Sequence, residues 1–227
     1  MKYFSKILAI SVIAFGITIG AFFASATGSQ TETQYLAQKT TLTTPAPEII
    51  FVGPRKNIPE DAPNEYGFWS FAIPVPGVLS RSGQPLLSEF KWLKAKGWKS
   101  DINLRTDGER GEVGDDSKIK GFKKLGLNYL YLPIADGSPP TEAQAKTFLN
   151  FVTNPANQPA HVHCRGGIGR TGVMVALYRY SIQGWPMDKA IQESVLFSGG
   201  VSESQRKWLL NWAKHHKPGS YFLEKEH

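Results

Sequence analysis

The chain has a single cysteine among 227 residues. One thiol forms no disulfide within the chain and builds no cysteine-based zinc cluster. Glycine (22) and proline (15) are too few and too scattered for a fibrous protein. No internal repeat or low-complexity tract follows Tyr66. The six tryptophans are not spaced as a stacking platform for nucleic acid and read as packing residues. Acids are the scarcer charge, 19 against 26 Lys and Arg, so the net charge is +7. That surplus points to an anionic partner without naming one. No basic stripe or nucleic-acid motif accompanies it, so nucleic acid is not the expected partner. A hydrophobic share of 41% with 20% charged residues supports a packed core and excludes a wholly disordered chain. At about 150 residues per domain, one domain and a sizeable surplus are expected.

The surplus lies at the N-terminus. Met1–Lys6 carries two lysines and no acid, Ile7–Ala24 is almost wholly apolar, and no charge falls between Ile7 and Thr31. Ala24-Ser25-Ala26 fits a small-x-small cleavage site. Residues 1–26 therefore read as a secretory signal. The alternative is a retained anchor, with residues 7–24 as a membrane tether, since about 20 apolar residues span a bilayer. Either reading places the rest of the chain outside the cytoplasm (periplasmic or extracellular) or on a membrane. Cleavage takes two lysines and no acid, which lowers the net charge from +7 to +5. Residues 27–65 read as a flexible tether, rich in Thr, Gln and Ser at first, then mixed with prolines. Ile49–Val52 is a candidate short edge strand. Residues 66–227 then read as the folded domain.

That domain alternates strand and helix. Val78–Arg81, Ser100–Leu104, Tyr129–Leu132 and Ala160–His163 read as strands. Leu87, Phe90 and Leu93 share a helical face that ends near Gly97. Asp115–Lys124 has acids first and lysines last, as the helix dipole favours, and Gly126 closes it. Thr141 with Gln144 and Ser202 with Gln205 are capping boxes. The first opens a helix carrying Ala145, Phe148, Leu149 and Val152. The second opens one carrying Leu209, Trp212 and Ala213. Gly169–Gln183 and Pro186–Leu196 are further helices. The expected fold is α/β, with a mostly parallel sheet of four to five strands flanked by helices in a single domain. Ligands in such folds bind beyond the carboxyl ends of the strands.

The loop after Ala160–His163 runs Cys164-Arg165-Gly166-Gly167-Ile168-Gly169-Arg170-Thr171. A glycine-rich turn opening a helix cradles a tetrahedral oxyanion with its amides. Gly167-x-Gly169-x-x-Gly172 matches a dinucleotide fingerprint, but it falls in the last strand–helix unit instead of the first. A nucleotide P-loop wants Gly where Cys164 stands and Lys where Arg170 stands. A buried, inert cysteine beside a glycine turn is the bland alternative. The odd residues point elsewhere. A thiol at the mouth of an anion nest is favoured as thiolate. Arg170 offers a planar fork to two phosphate oxygens. Thr171 can set its hydroxyl near the sulfur and ease its departure. A nucleophile beneath the phosphorus and a clamp on its oxygens suit in-line phosphoryl transfer.

His163-Cys164-x5-Arg170-Thr171 resembles the signature of the cysteine-dependent tyrosine and dual-specificity phosphatase superfamily. The resemblance extends over about Phe68 to Lys217. Arg81-Ser82-Gly83-Gln84-Pro85 and Ile102-Asn103-Leu104-Arg105 are similar to segments of its compact dual-specificity-like members. It implies a phosphate cup of Arg165, Gly166, Gly167, Ile168, Gly169 and Arg170. It implies a general acid, Asp, on a loop some 30 residues before the cysteine. Asp136, in Pro133-Ile134-Ala135-Asp136-Gly137-Ser138-Pro139-Pro140, stands 28 residues before Cys164, and the Gly and Pro pattern suits a swinging loop. The alternative is a turn-holding aspartate. Asp107, Asp115 and Asp116 are poorer candidates. Glu109 either pairs with Arg170 and fixes its fork or is a solvated loop acid. His163 supports the loop. Ser82 and Gln84 line the cleft or simply make a turn. His215 and His216 sit at a helix end.

The implied chemistry needs no metal and no cofactor. Cys164 attacks phosphorus, Asp136 protonates the leaving oxygen, and a cysteinyl-phosphate forms and is hydrolysed. Rhodaneses also carry a cysteine loop, but theirs is usually shorter and lacks this Gly-x-Gly-Arg-Thr-Gly run. No segment of the kind that deepens the cleft in tyrosine-only members is present. Phosphotyrosine, phosphoserine and phosphothreonine proteins are therefore the expected substrates. The alternatives are an inositol phosphate or phosphoinositide, or a catalytically dead phosphate-binding module.

Overall fold

Strand β5 (Ala160–His163) is the centre of the structure, buried on both faces. Its residues alternate. Ala160 and Val162 join an apolar cluster with Ile102, Leu104, Phe148, Val173 and Leu177. His161 and His163 face the other side, where their rings meet Phe68, Phe71 and Phe90. In the computed structural model, which describes residues 46–64, 68–109 and 121–221, β1 (Ala72–Val75), β2 (Leu79–Ser82), β3 (Ser100–Asn103), β4 (Asn128–Tyr131) and β5 form one sheet. Its order is β1-β2-β5-β3-β4, with β1 antiparallel to β2 and the other pairs parallel.

The register brings four strand ends level. Ser82 and Asn103 both pair with His163, and Asn103 pairs with Tyr131. The chain leaves all four strands at the same edge, and the ladder continues one step into the loops. The amide of Leu104 donates to His163, that of Leu132 to Asn103 and that of Ile134 to Leu104. The segments that begin at Gly83, Leu104, Leu132 and Cys164 are thereby gathered at one place, the carboxyl end of the sheet.

Helices cover both faces. Helices α2 (Glu142–Thr153), α3 (Gly169–Ser181), α4 (Met187–Val195) and α5 (Glu203–His215) contribute to the cluster around Val162. Helix α1 (Leu87–Ala95) and the helical residues 121–125 contribute to a second cluster of Phe68, Phe71, Phe90, Leu93, Trp98, Phe122 and Leu127. Both expected capping boxes are formed, at Thr141 and at Ser202. Helix α3 is almost wholly buried.

Several expectations are corrected. Ile49–Val52 is not a strand. Ile49 and Ile50 are exposed, and the buried amide of Val52 donates 3.0 Å to the Glu193 carboxylate. Arg55 hydrogen-bonds the carbonyls of Ala62 and Pro63. Residues 46–64 thus belong to the compact unit that starts at Ala46 and are not the flexible tether expected over 27–65. Strand β1 was not expected. Leu87 does not share the buried face of Phe90 and Leu93; it is exposed in the first turn, where Glu89 is buried and accepts from the Leu86 amide. The first part of the Asp115–Lys124 helix lies outside the described residues, as do Asp116 and the apolar run at 7–24. Among the described residues, no helix is long and apolar enough to cross a membrane.

Candidate active site

Cys164 follows β5 directly and is buried. The loop from Cys164 to Gly169 is held by its carbonyls. His163 Nδ1 lies 3.4 Å from the Cys164 oxygen. The Arg165 oxygen accepts from the Gln84 amide at 2.9 Å, and the Ile168 oxygen from the Gly172 amide at 2.8 Å. The Gly167 oxygen accepts from Arg81 Nη2. In a trans peptide the carbonyl and the following N–H point in opposite directions. Carbonyls tied to these neighbours therefore turn the amides of Arg165, Gly166, Ile168 and Gly169 the other way. Helix α3 begins there on Ile168, whose side chain makes no cap, so its N-terminal amides add to the cradle.

Gly167 is where the loop meets β2. Its φ is +70°, and a Cβ there would lie 2.5 Å from the Gly83 nitrogen and 2.6 Å from Ser70 Oγ. Only glycine fits both the left-handed backbone and the contact. Gly83 is fixed in turn, its amide donating 2.9 Å to Ser70 Oγ.

Arg170 is 1% exposed at its side chain. Nη1 and Nη2 donate to the two oxygens of Glu109 at 2.5 and 3.0 Å, and Nη1 also reaches the Ile134 carbonyl at 3.0 Å. Nη2 lies 3.2 Å from Asp136 Oδ1, whose side chain is 79% exposed. Arg170 Nε is buried without a partner among the described residues, as is Thr171 Oγ1. Burial works against the Glu109 carboxylate, but hydrogen bonds from Arg170 and Thr106 outweigh it and hold its pKa at about 2. Arg170 is shifted upward. Burial opposes its charge, and Glu109, Cys164 and Asp136 more than restore it.

The sequence expectations meet here. Glu109 and Asp136 both meet Arg170, whose charge also interacts with Cys164, and Glu109 is paired with Arg170 and not free in solvent. Arg165 is exposed, Gly166, Ile168 and Gly169 are half-buried and Gly167 is buried. His163 also lies 3.2 Å from Asp101 Oδ2. Asp115 and Asp116 lie outside the described residues. Ser82 and Gln84 serve the frame: Gln84 Oε1 accepts from Arg105 at 2.8 Å. His215 bonds the Asn211 carbonyl and His216 stacks on Trp212.

Three features were missed. Arg81 is buried, 3.5 Å above the Phe197 ring, with Nε unpartnered among the described residues. Burial pushes its pKa down to about 10, while the Cys164 and Glu193 charges pull it back up. His161 links two serines. Trp98 donates to Ser80 Oγ, which contacts His161 Nδ1 at 2.8 Å; Ser82 Oγ contacts Nε2 at 2.9 Å and donates to the Gly83 carbonyl. One hydrogen per hydroxyl makes Nδ1 the acceptor and Nε2–H the donor. The third is the seating of the acid loop on α5. Arg81 was visible as a strand residue and in the family-like segment, but not as a partner of the phosphate loop.

A mostly parallel five-stranded sheet with a cysteine–arginine phosphate loop at its carboxyl edge defines a phosphatase of the dual-specificity and tyrosine phosphatase fold. Residues 76–211 match the family of DSP-PTPase phosphatases fused to NAD+ kinase, and the chain belongs to that family. A beta-lactamase hydrolase-like protein of Agrobacterium fabrum is 34% identical over 97 residues, covering 42% of this chain and 22% of that protein. A probable chloroplastic NAD kinase 2 of Oryza sativa subsp. japonica is 32% identical over 103 residues, covering 44% of this chain and 10% of that one. The chain thus spans less than a quarter of the length of these relatives. The solved structure of PTPMT1 in complex with PI(5)P has a TM-score of 0.54 at 23% identity, covering 61% of this chain and 91% of that one, a likeness of fold.

Proposed function

We propose that this chain hydrolyses phosphate monoesters through a cysteinyl-phosphate. The observation that carries this reading is the Arg170 guanidinium. It lies beside Cys164's loop, held by Glu109 and 3.2 Å from Asp136. In the first step the Cys164 sulfur bonds to phosphorus, the ester P–O bond breaks, and Asp136 gives its proton to the leaving oxygen. Arg170 Nε and the loop amides hold the equatorial oxygens. In the second step water attacks phosphorus, Asp136 takes its proton, and the P–S bond breaks to release phosphate. Thr171 Oγ1 then stabilises the departing sulfur.

Phosphotyrosine, phosphoserine and phosphothreonine in proteins are the proposed substrates. Arg165 is the one cation that the loop adds beside Arg170. Its exposure supports a second reading, an inositol phosphate or phosphoinositide, whose further phosphate it would meet. Phosphate release by the full chain from phosphopeptides and from inositol phosphates, side by side, tests the choice. Faster turnover of inositol phosphates overturns the protein reading. Binding without turnover of any ester makes the chain a phosphate-binding module. We also propose that residues 1–26 export or anchor the domain, supported by their basic start and apolar run. Mass spectrometry of the mature N-terminus decides between the two.

A further inference from the structure

The acid loop rests on the first turn of α5. Ser202 Oγ and Ser204 Oγ lie 2.8 and 2.9 Å from the carbonyl oxygen of Gly137, the residue after Asp136. Gln205 Nε2 donates to the Ser138 carbonyl at 3.0 Å. The hydrogens are accounted for. Ser202 Oγ accepts the Gln205 amide, so its single hydrogen is free for Gly137. Ser204 Oγ gives its own to the second lone pair of the same carbonyl. The 3.0 Å approach of the two hydroxyls follows from sharing that acceptor. Gly137 has φ +73°, a conformation that turns its carbonyl toward α5 at no steric cost.

The same turn touches the phosphate loop. A Cβ on Gly169 would lie 3.0 Å from Gln205 Oε1. One helical turn therefore contacts both the acid loop and the loop that carries Cys164 and Arg170. Ser204 is exposed and takes no part in the capping box. Helix capping therefore does not account for its hydroxyl, whereas the bond to Gly137 does.

We propose that Ser202 and Ser204 are positioning residues for Asp136, latching the acid loop so that the carboxyl stays beside Arg170. This rests on the reading of Asp136 as the proton donor. Releasing the latch lets the loop swing away, which harms only reactions that need a proton on the leaving oxygen. A leaving group of low basicity departs without one.

The test compares kcat/KM of the full chain on 4-nitrophenyl phosphate and on phenyl phosphate, with orthovanadate affinity as a measure of the phosphate cup. Ser204→Ala alone and with Ser202→Ala should lose about tenfold on phenyl phosphate and under about twofold on 4-nitrophenyl phosphate. Orthovanadate affinity should hold, and Ser204→Thr, which keeps the hydroxyl, should restore the phenyl phosphate rate. Asp136→Ala should show the same split, larger. If Asp136→Ala shows the split and the serine variants lose equally on both esters, or on neither, the latch is wrong and the acid stands. If Asp136→Ala shows no split, the acid assignment and the latch fall together. Should the double variant not fold, Ser204→Ala carries the test alone.

Discussion

Arg170 and Glu109, 61 residues apart, face each other through two hydrogen bonds, one from each terminal nitrogen of the guanidinium to one carboxylate oxygen. The pair fixes the plane of the fork before any substrate arrives, and Nε is left unpartnered among the described residues. Preorganised donors of this kind stabilise charge without reorganising during the reaction. Glu109→Ala should cost about 10–100-fold in kcat/KM on an aryl phosphate, because a misplaced clamp loses that order of rate. Orthovanadate affinity should fall with it. Unchanged affinity in Glu109→Ala would show that the fork needs no partner.

His161 and Glu109 each make stability depend on acid. Burial, with the neighbouring His163 second, holds His161 well below its ordinary value of 6.5, so the fold keeps it neutral. Its contribution is full above pH 6.5 and is lost as pH falls through the depressed value. Glu109 is depressed from 4.5 to about 2, so its share is full above pH 4.5 and is lost between there and about 2. The urea midpoint should decline in both stretches. His161→Asn should flatten the upper decline and Glu109→Gln the lower. Slopes unchanged in both variants would contradict the assignment.

Arg81 places a buried cation against the loop, bonded to Gly167 and attracted by the Cys164 charge. Removing Arg81 takes away a donor to the Gly167 carbonyl and a buried positive charge that interacts with Cys164, so the sulfur should react more slowly. Arg81→Met should slow alkylation of Cys164 by iodoacetamide at neutral pH by about tenfold, and Arg81→Lys should recover part of it. With one cysteine in the chain, the measured rate belongs to Cys164 alone. Equal rates for wild type and Arg81→Met would remove Arg81 from the account.

Gly167→Ala forces a methyl to within 2.5 Å of the Gly83 backbone at a positive φ. The loop or β2 must shift, and carbonyl 167 leaves Arg81. Loss of more than about 100-fold in kcat is expected from a displacement of that kind. Near-normal turnover in Gly167→Ala would show that this contact does not shape the cradle.

Much of this was legible along the chain, for reasons that differ by element. Strands β2 to β5 read correctly to within a residue because each is a short apolar or alternating run bounded by turns; β2, β3 and β5 are buried on both faces and β4 is partly exposed. Strand β1 escaped because Ala72-Ile73-Pro74-Val75 carries a proline, which only an edge strand tolerates. Ile49–Val52 looked like a strand from apolarity alone, but the Val52 amide is taken by Glu193 of α4, a contact no local pattern announces. The site divides the same way. Cys164 and Arg170 share one turn and one motif, so their spacing carried the chemistry. Arg81 sits on β2, and Ser202 and Ser204 open α5, both far from the loop in sequence. Only the level strand ends and the packing of α5 bring them to the loop.

The most direct test of the central claim is a rapid acid quench of the full chain with 32P-labelled 4-nitrophenyl phosphate. The account predicts label trapped on Cys164 in the wild type. It predicts no label and no phosphate release in Cys164→Ser, which should still bind orthovanadate. Phosphate release by Cys164→Ser at the wild-type rate would contradict it.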